Sequence, residues 1–258
     1  MRLALECHSW VQCFDEIRAY SLLAGSVASQ QYSKPILAFK IPRWTEQLDS
    51  PLLWDLGLPQ QARSIYSGQK ILFMVRDVRD TVASMLKLQT GSKSWLEHHG
   101  IPILKAKAAQ DARFASRYRT ELEAIEHARY PSISAAALYW KYKTEALLDF
   151  FEKGYPVLPI YYEDLTAQPE LQLRETCEFL GIPWEDQLLN HPAVLHSELF
   201  RNGLTVGNTD PKRAIDCTCV GQWWQFLSAE QVAEIDAIVQ TTPRDLASAI
   251  REAGDKAA

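Results

Sequence analysis

No apolar run in this chain of 258 residues approaches the roughly 20 residues that a helix needs to cross a bilayer. A membrane span is therefore not expected. Positive charge is not in excess either. The 27 Lys and Arg face 32 Asp and Glu, a formal net charge of −5, which excludes a broad basic surface for nucleic acid. A single cationic cleft remains compatible with that balance. Cysteine is sparse: five in a chain this long, an odd number, do not make a disulfide framework. A reducing, cytoplasmic setting is the expectation. The opening Met1-Arg2-Leu3-Ala4-Leu5 meets Glu6, His8 and Asp15 too soon for an ordinary signal peptide. Internal repeats and low-complexity linkers are absent. The length and the 47% apolar content suit one α/β domain over residues 1–258.

Short apolar runs mark the strands. Ile36-Leu37-Ala38-Phe39-Lys40, ended by Pro42, reads as one. Ile71-Leu72-Phe73-Met74-Val75 is a clearer one, and Val157 to Tyr162 a third. Continuous apolar strands separated by helices predict a parallel sheet covered on both faces. Residues 1–8 and 15–29 read as helical. Residues 103–129 are charged and predict a surface helix or helical hairpin; residues 132–152 predict a buried one. Pro169 opens a helix that Gly181 closes, and Ser228 with Gln231 forms a capping box for a helix to Val239. Residues 200–221, rich in Gly, Asn, Asp and Thr, read as a long loop.

The most informative segment is Arg76-Asp77-Val78-Arg79-Asp80-Thr81-Val82-Ala83-Ser84, where strand gives way to helix. Ligands bind at that carboxyl edge of a parallel sheet. Arg76 can offer a planar fork of donors to a phosphate, and Ser84 adds a hydroxyl near the positive end of a helix. The plainer reading has Asp77 and Asp80 capping the helix and pairing with the two arginines on the surface. Chemistry alone slightly favours that plainer reading.

Residues 71–85 resemble the 3′-phosphate-binding element of sulfotransferases that use 3′-phosphoadenosine 5′-phosphosulfate (PAPS). In that family the matching Arg and Ser, at this spacing, hold the nucleotide's 3′-phosphate. Two further stretches agree in order: Tyr162-Glu163-Asp164-Leu165 with Phe179-Leu180-Gly181, and Val220-Gly221-Gln222-Trp223 before a capped helix. The protein-tyrosine sulfotransferase branch is the nearest likeness. Residues 1–8 and 11–18 resemble its first helix and the acidic turn after it. In that branch the helix follows directly on a loop that wraps the 5′-phosphosulfate. The likeness resumes at Met1 itself, so it implies an N-terminally truncated domain without the first strand and that loop. A retained grip on the 3′-phosphate and little hold on the 5′-phosphosulfate would follow.

The resemblance implies a P-loop-NTPase-like sulfotransferase fold, α/β, with helices flanking a parallel sheet. It also implies transfer of a sulfuryl group from PAPS, as co-substrate, to the hydroxyl of a tyrosine, a sugar or a small molecule. Such transfer needs a base for the acceptor proton, in-line positioning and a cation for the charge that develops on the bridging oxygen. By resemblance Glu16 is the base, Lys40 the electrostatic helper and Arg18 a contact to the acceptor. Tyr162 lies against the nucleotide. The loop 208–217 closes over it, with Asn208 and Arg213 as binding residues. Each has a plain structural alternative: a solvated helix start for Glu16, a strand terminus for Lys40, a surface cation for Arg18 and Arg213, a core phenol for Tyr162. No metal is implied. The resemblance leaves a homodimer open.

The departures bear on the acceptor more than on the nucleotide. A basic residue that the family often has four positions after the serine is Leu88 here, with Lys87 beside it. The arginine-lysine-glycine triplet of cytosolic members is Asp216-Cys217-Thr218. The position matching a disulfide partner of Cys13 in the tyrosine branch is Ala38, so that bridge is not expected. Thr90-Gly91-Ser92-Lys93-Ser94 lacks the glycine spacing and preceding strand of a P-loop and reads as a polar turn. Cys217-x-Cys219 lacks a second pair of ligands at zinc spacing; His98-His99 and His191…His196 could in principle bind metal, but paired surface histidines are the commoner explanation. Two alternatives stand beside a sulfotransferase: a P-loop nucleotide kinase, and a non-catalytic remnant that keeps only the 3′-phosphate site.

Overall fold

A computed structural model of the chain describes residues 1–14, 34–39, 70–90, 92–152, 154–193 and 212–240. The first helix, α1 (Arg2–Glu6), has Met1 at its N-cap without a side-chain cap and buries Ala4 and Leu5. The chain then enters a strand, β1 (Val11–Phe14), where sequence resemblance suggested only a helix and its acidic turn. The strand forms because it finds a partner. It runs parallel to β2 (Ile36–Phe39), in a register that sets Cys13 opposite Ala38 and Phe14 opposite Phe39. The two phenylalanine rings stack at 5.2 Å. Lys34 ties off the entry by donating from Nζ to the carbonyls of His8, at 2.7 Å, and Val11, at 2.9 Å. Cys13 is a free thiol.

The second parallel pair is β3 (Ile71–Val75) with β6 (Val157–Tyr161), Val75 lying opposite Tyr161. Side chains alternate along each strand. Ile71, Phe73, Val75, Val157 and Tyr161 meet Leu147 and Phe150 on one face. Leu72, Leu158 and Ile160 face α1 and β1 on the other. The apolar run of β3 predicted full burial, but only Val75 is fully buried and Met74 is 42% exposed.

From β3 the chain turns into α2 (Val78–Lys87), capped by Asp77, whose carboxylate accepts from the amides of Arg79 and Asp80. Acid in the first turn and Lys87 in the last match the helix dipole. A short antiparallel hairpin follows, β4 (Gln89–Thr90) with β5 (Lys93–Ser94), at the segment read as a polar turn. A π-helical turn, Leu96–Gly100, leads on.

The charged stretch after it is neither one helix nor a simple hairpin. It is α3 (Ile101–Gln110), α4 (Ala112–Arg117) and α5 (Arg119–His127). Asp111 breaks the first from the second by capping α4, accepting from Arg113 N at 3.1 Å and Phe114 N at 3.0 Å. Nor is it all surface: Leu104, Phe114 and Tyr118 join the main core. That core is organised by α6 (Pro131–Glu152), in which Ala135, Ala136, Ala137 and Leu138 are fully buried. Then come β6, α7 (Tyr162–Ala167) and α8 (Pro169–Leu180). Gly181 ends α8 in the left-handed region at φ 75°, as the sequence predicts. The last described helix, α9 (Ala229–Val239), starts at Ser228 with its capping box formed in both directions.

The described residues thus show the expected class, parallel strands flanked by helices. Among them no helix is long and apolar enough to cross a membrane.

Candidate functional site

Because β3 and β6 are parallel and in register, the residues that follow them, Arg76 and Tyr162, leave the same edge side by side. The Arg76 guanidinium stacks over the Tyr162 ring, 4.6 Å from its centroid. This is a cation–π contact across the strand ends. Three further contacts fix the turn. The Arg76 carbonyl accepts from Trp140 Nε1 at 2.8 Å, so the buried helix α6 holds the strand end. Glu163 accepts from the Asp77 amide at 2.9 Å, joining the start of α7 to the cap of α2. Arg76 Nη2 donates to the Cys219 carbonyl at 2.8 Å.

One donor of the Arg76 fork has no acceptor. Its Nε is buried and without a hydrogen-bond partner. A buried guanidinium N–H left unpaired costs free energy, about 1–3 kcal/mol or more, unless a ligand meets it. Ser84 lies seven residues after the cap of α2 and so returns to the Asp77 side of the helix. It is exposed there. The plainer sequence reading is half right. Asp77 caps the helix, but neither arginine pairs with Asp77 or Asp80. Arg79 makes a two-oxygen contact with Asp236, at 3.0 and 3.1 Å, and stacks 5.2 Å from the Trp223 ring.

The segment 212–226 lies against this edge. Arg213 donates from Nε to Asp216 at 3.0 Å and from Nη2 to the other oxygen at 2.5 Å. Its Nη1 reaches Cys219 Sγ at 3.1 Å, and its Nη2 also meets the Thr218 hydroxyl. These bonds hold the Asp216 carboxyl well below the usual carboxylate range. Burial pushes the Tyr162 phenol above its ordinary value, while the Arg76 and Arg213 charges pull it down. Arg76, Tyr162, Arg213, Asp216 and Cys219 therefore form one electrostatic neighbourhood.

The structure brings together three of the residues singled out in sequence, Arg76, Tyr162 and Arg213, and puts Ser84 on the adjoining helix. Tyr162 opens α7 rather than ending β6. Glu16, Arg18, Lys40 and Asn208 lie outside the described residues. Glu16 and Lys40 follow shortly after Phe14 and Phe39, which end two paired strands at one edge. Lys87, beside Leu88, is 3.1 Å from the centroid of the Phe226 ring and is engaged there. Sequence reasoning missed Trp140 and Glu163 as supports of the turn. Glu163 lies inside the Tyr162-Glu163-Asp164-Leu165 motif, which is a signal for it; nothing local marks Trp140. His98 and His99 pack edge to face at 4.6 Å. Among the described residues no cluster of three or more His, Cys, Asp or Glu is placed to hold a metal.

A family model described as "Sulfotransferase domain" matches residues 45–248. The chain is 27% identical over 81 residues to protein-tyrosine sulfotransferase A of Caenorhabditis elegans, covering 31% of this chain and 21% of that one. It is 22% identical over 223 residues to cytosolic sulfotransferase 9 of Arabidopsis thaliana, covering 81% and 61%. The chain thus spans less than two thirds of the length of these curated relatives. Among solved structures, the sulfotransferase domain from the curacin biosynthetic pathway aligns with 86% of this chain and 67% of that one. The TM-score is 0.48 and the identity 16%.

Proposed function

The chain belongs to the sulfotransferase-domain family, and from that premise we propose that it moves a sulfuryl group from PAPS to an acceptor hydroxyl. Arg76 and Ser84 hold the 3′-phosphate. Tyr162 lies against the nucleotide, and the loop carrying Asn208 and Arg213 closes over it. Glu16 takes the proton of the acceptor hydroxyl. The sulfur exchanges its bond to the bridging oxygen for one to the acceptor oxygen, and Lys40 stabilises the charge left on the departing phosphate. Arg18 meets the acceptor. No metal takes part.

One observation carries the nucleotide reading: the buried, unpartnered Nε of Arg76. It belongs to a guanidinium already steered by Tyr162 and Cys219, and its fork is the donor set a phosphate accepts bidentately. The likeness to a protein-tyrosine sulfotransferase supports a tyrosine hydroxyl as acceptor. Residues 1–258 act as one domain on this reading, because α6 serves two core clusters and β6 two, binding them together. A cytoplasmic location and a hydroxyl-bearing partner, with neither nucleic acid nor membrane, complete the proposal.

Adenosine 3′,5′-bisphosphate should raise the melting temperature, and Arg76→Ala should abolish that rise. An equal rise with AMP would refute the 3′-phosphate assignment. Turnover of PAPS with a tyrosine peptide should be lost in Glu16→Gln; unchanged turnover removes Glu16 as the base. Binding of the bisphosphate without any turnover would leave a nucleotide-binding protein only.

A further inference from the structure

Asp80 is 3% exposed, a buried acid in the first turn of α2. A buried carboxylate must be met by strong donors. Here they are two backbone amides of one short segment: Gly221 N donates to Oδ2 at 2.6 Å and Trp223 N to Oδ1 at 3.0 Å. Hydrogen bonds to an ionised acceptor are roughly twice as strong as neutral ones. Gly221 sits at φ 68°, the left-handed backbone that aims its amide at Asp80. Two residues earlier in that segment, the Cys219 carbonyl accepts from Arg76 Nη2 at 2.8 Å. Arg79, between the two, stacks on Trp223. Positions 76, 79 and 80 therefore all grip residues 219–223. An acid in the first turn of a helix ordinarily serves the dipole from the surface; Asp80 is turned inward and spends both oxygens on the neighbouring segment.

We infer that Asp80 is a positioning residue for recognition of the 3′-phosphate: by holding the amides of Gly221 and Trp223 it fixes the Cys219 carbonyl, which sets the direction of the Arg76 fork. The inference rests on the reading of Arg76 as the phosphate ligand. Asp80 touches no nucleotide. Without its carboxylate the segment slackens, the Cys219 carbonyl no longer orients Nη2, and Arg76 meets the phosphate through a poorer geometry.

Isothermal titration of the whole chain with adenosine 3′,5′-bisphosphate and with AMP tests this, because the two differ only in the 3′-phosphate. The unaltered protein should prefer the bisphosphate. Asp80→Asn keeps the shape but replaces one acceptor with a donor facing an amide. It should cut that preference about tenfold while leaving AMP affinity unchanged. Gly221→Ala removes no hydrogen-bonding group and meets open space, so its only effect is on the left-handed backbone. It should lower the preference in the same direction, and it decides the matter if Asp80→Asn does not fold. A folded variant of either kind, less stable to heat but with the preference intact, overturns the inference and leaves Asp80 a structural anchor. Equal affinity of the unaltered protein for both nucleotides overturns it at its root, by removing the phosphate reading.

Discussion

Trp140→Phe should loosen the turn after β3 from behind. Trp140 is buried in the core around α6, and its indole Nε1 donates to the Arg76 carbonyl at 2.8 Å. That carbonyl is the first backbone acceptor beyond the end of β3. Losing the donor from a partly buried acceptor costs about 1–2 kcal/mol. For a chain of this size each kcal/mol lowers the melting temperature by about 2–4 °C, so roughly 2–8 °C is expected from the bond alone. Phe also shrinks the side chain, and the cavity adds to the loss. A benzothienyl-alanine at position 140 separates the two contributions, since sulfur replaces the N–H at nearly constant shape. Calorimetric melts of both variants give the stability change, and bisphosphate titration gives the effect on Arg76. The benzothienyl form should retain most of the drop and bind the nucleotide several-fold more weakly. A melt within about 1 °C of the unaltered protein, with binding unchanged, would refute the claim that α6 holds the turn.

Gly181→Ala places a side chain at φ 75°, where nothing crowds it closer than Lys70 Nζ at 4.0 Å, so the cost is purely conformational. About 1 kcal/mol and 2–4 °C are expected by scanning calorimetry, with Gly181→Asn losing less. Glu185 opposes burial, which raises its carboxyl, with bonds from the Ser9 hydroxyl and amide, from Gln187 and from the charge of His8, and ends below the ordinary value. A depressed folded value means stability that is full above about pH 4.3 and lost as pH falls through the folded value. The stability gap between the unaltered protein and Ser9→Ala, measured by urea titration, should therefore be widest near neutrality and shrink below about pH 4.3. Burial pushes the Cys13 thiol up to about 12 and the Cys7 thiol up to about 11. At pH 8 their thiolate fractions are about one in ten thousand and one in a thousand. Iodoacetamide should label the exposed Cys217 while both remain free, as read by peptide mass spectrometry; early labelling of Cys13 would contradict its burial.

Signals carried by single residues were legible in the sequence. Pro169 and Gly181 bracket α8, Ser228 with Gln231 caps α9, and the apolar runs at 71–75 and 157–161 became paired strands. These are local steric or hydrogen-bonding requirements, which composition records directly. The strand at Val11–Phe14 was not legible. It is four residues long and owes its existence to Ile36–Phe39, more than twenty positions away. Strand pairing of that kind is set by tertiary context rather than propensity. The absence of a Cys13 bridge was legible, because Ala38 stands directly across from Cys13 in the register. Residues 103–129 misled through their charge: Lys107 is fully buried beside the Phe114 ring at 5.1 Å, a pairing that no one-dimensional pattern reveals. The contacts that hold Arg76 were not legible in the sequence. Trp140 and Cys219 lie 64 and 143 positions from Arg76, and Glu163 lies 86 positions from Asp77, whose amide donates to it.

The segment 213–218 holds its own anion. Where cytosolic members have a basic triplet, Asp216 gathers four donors onto one carboxylate. They are Arg213 Nε at 3.0 Å and Nη2 at 2.5 Å, Thr218 N at 2.9 Å and the Thr218 hydroxyl at 2.5 Å. Arg213 is thereby charged but occupied, with its fork already closed on an anion. An exposed ion pair of this kind contributes little net stability in water. A phosphate carrying nearly two charges competes for the same fork on favourable terms. On the proposed reading Arg213 must exchange Asp216 for the nucleotide, whereas Arg76 has a donor free to meet it without breaking any bond. On that reading Arg76 sets whether the 3′-phosphate is recognised, and Arg213 contributes only after giving up Asp216.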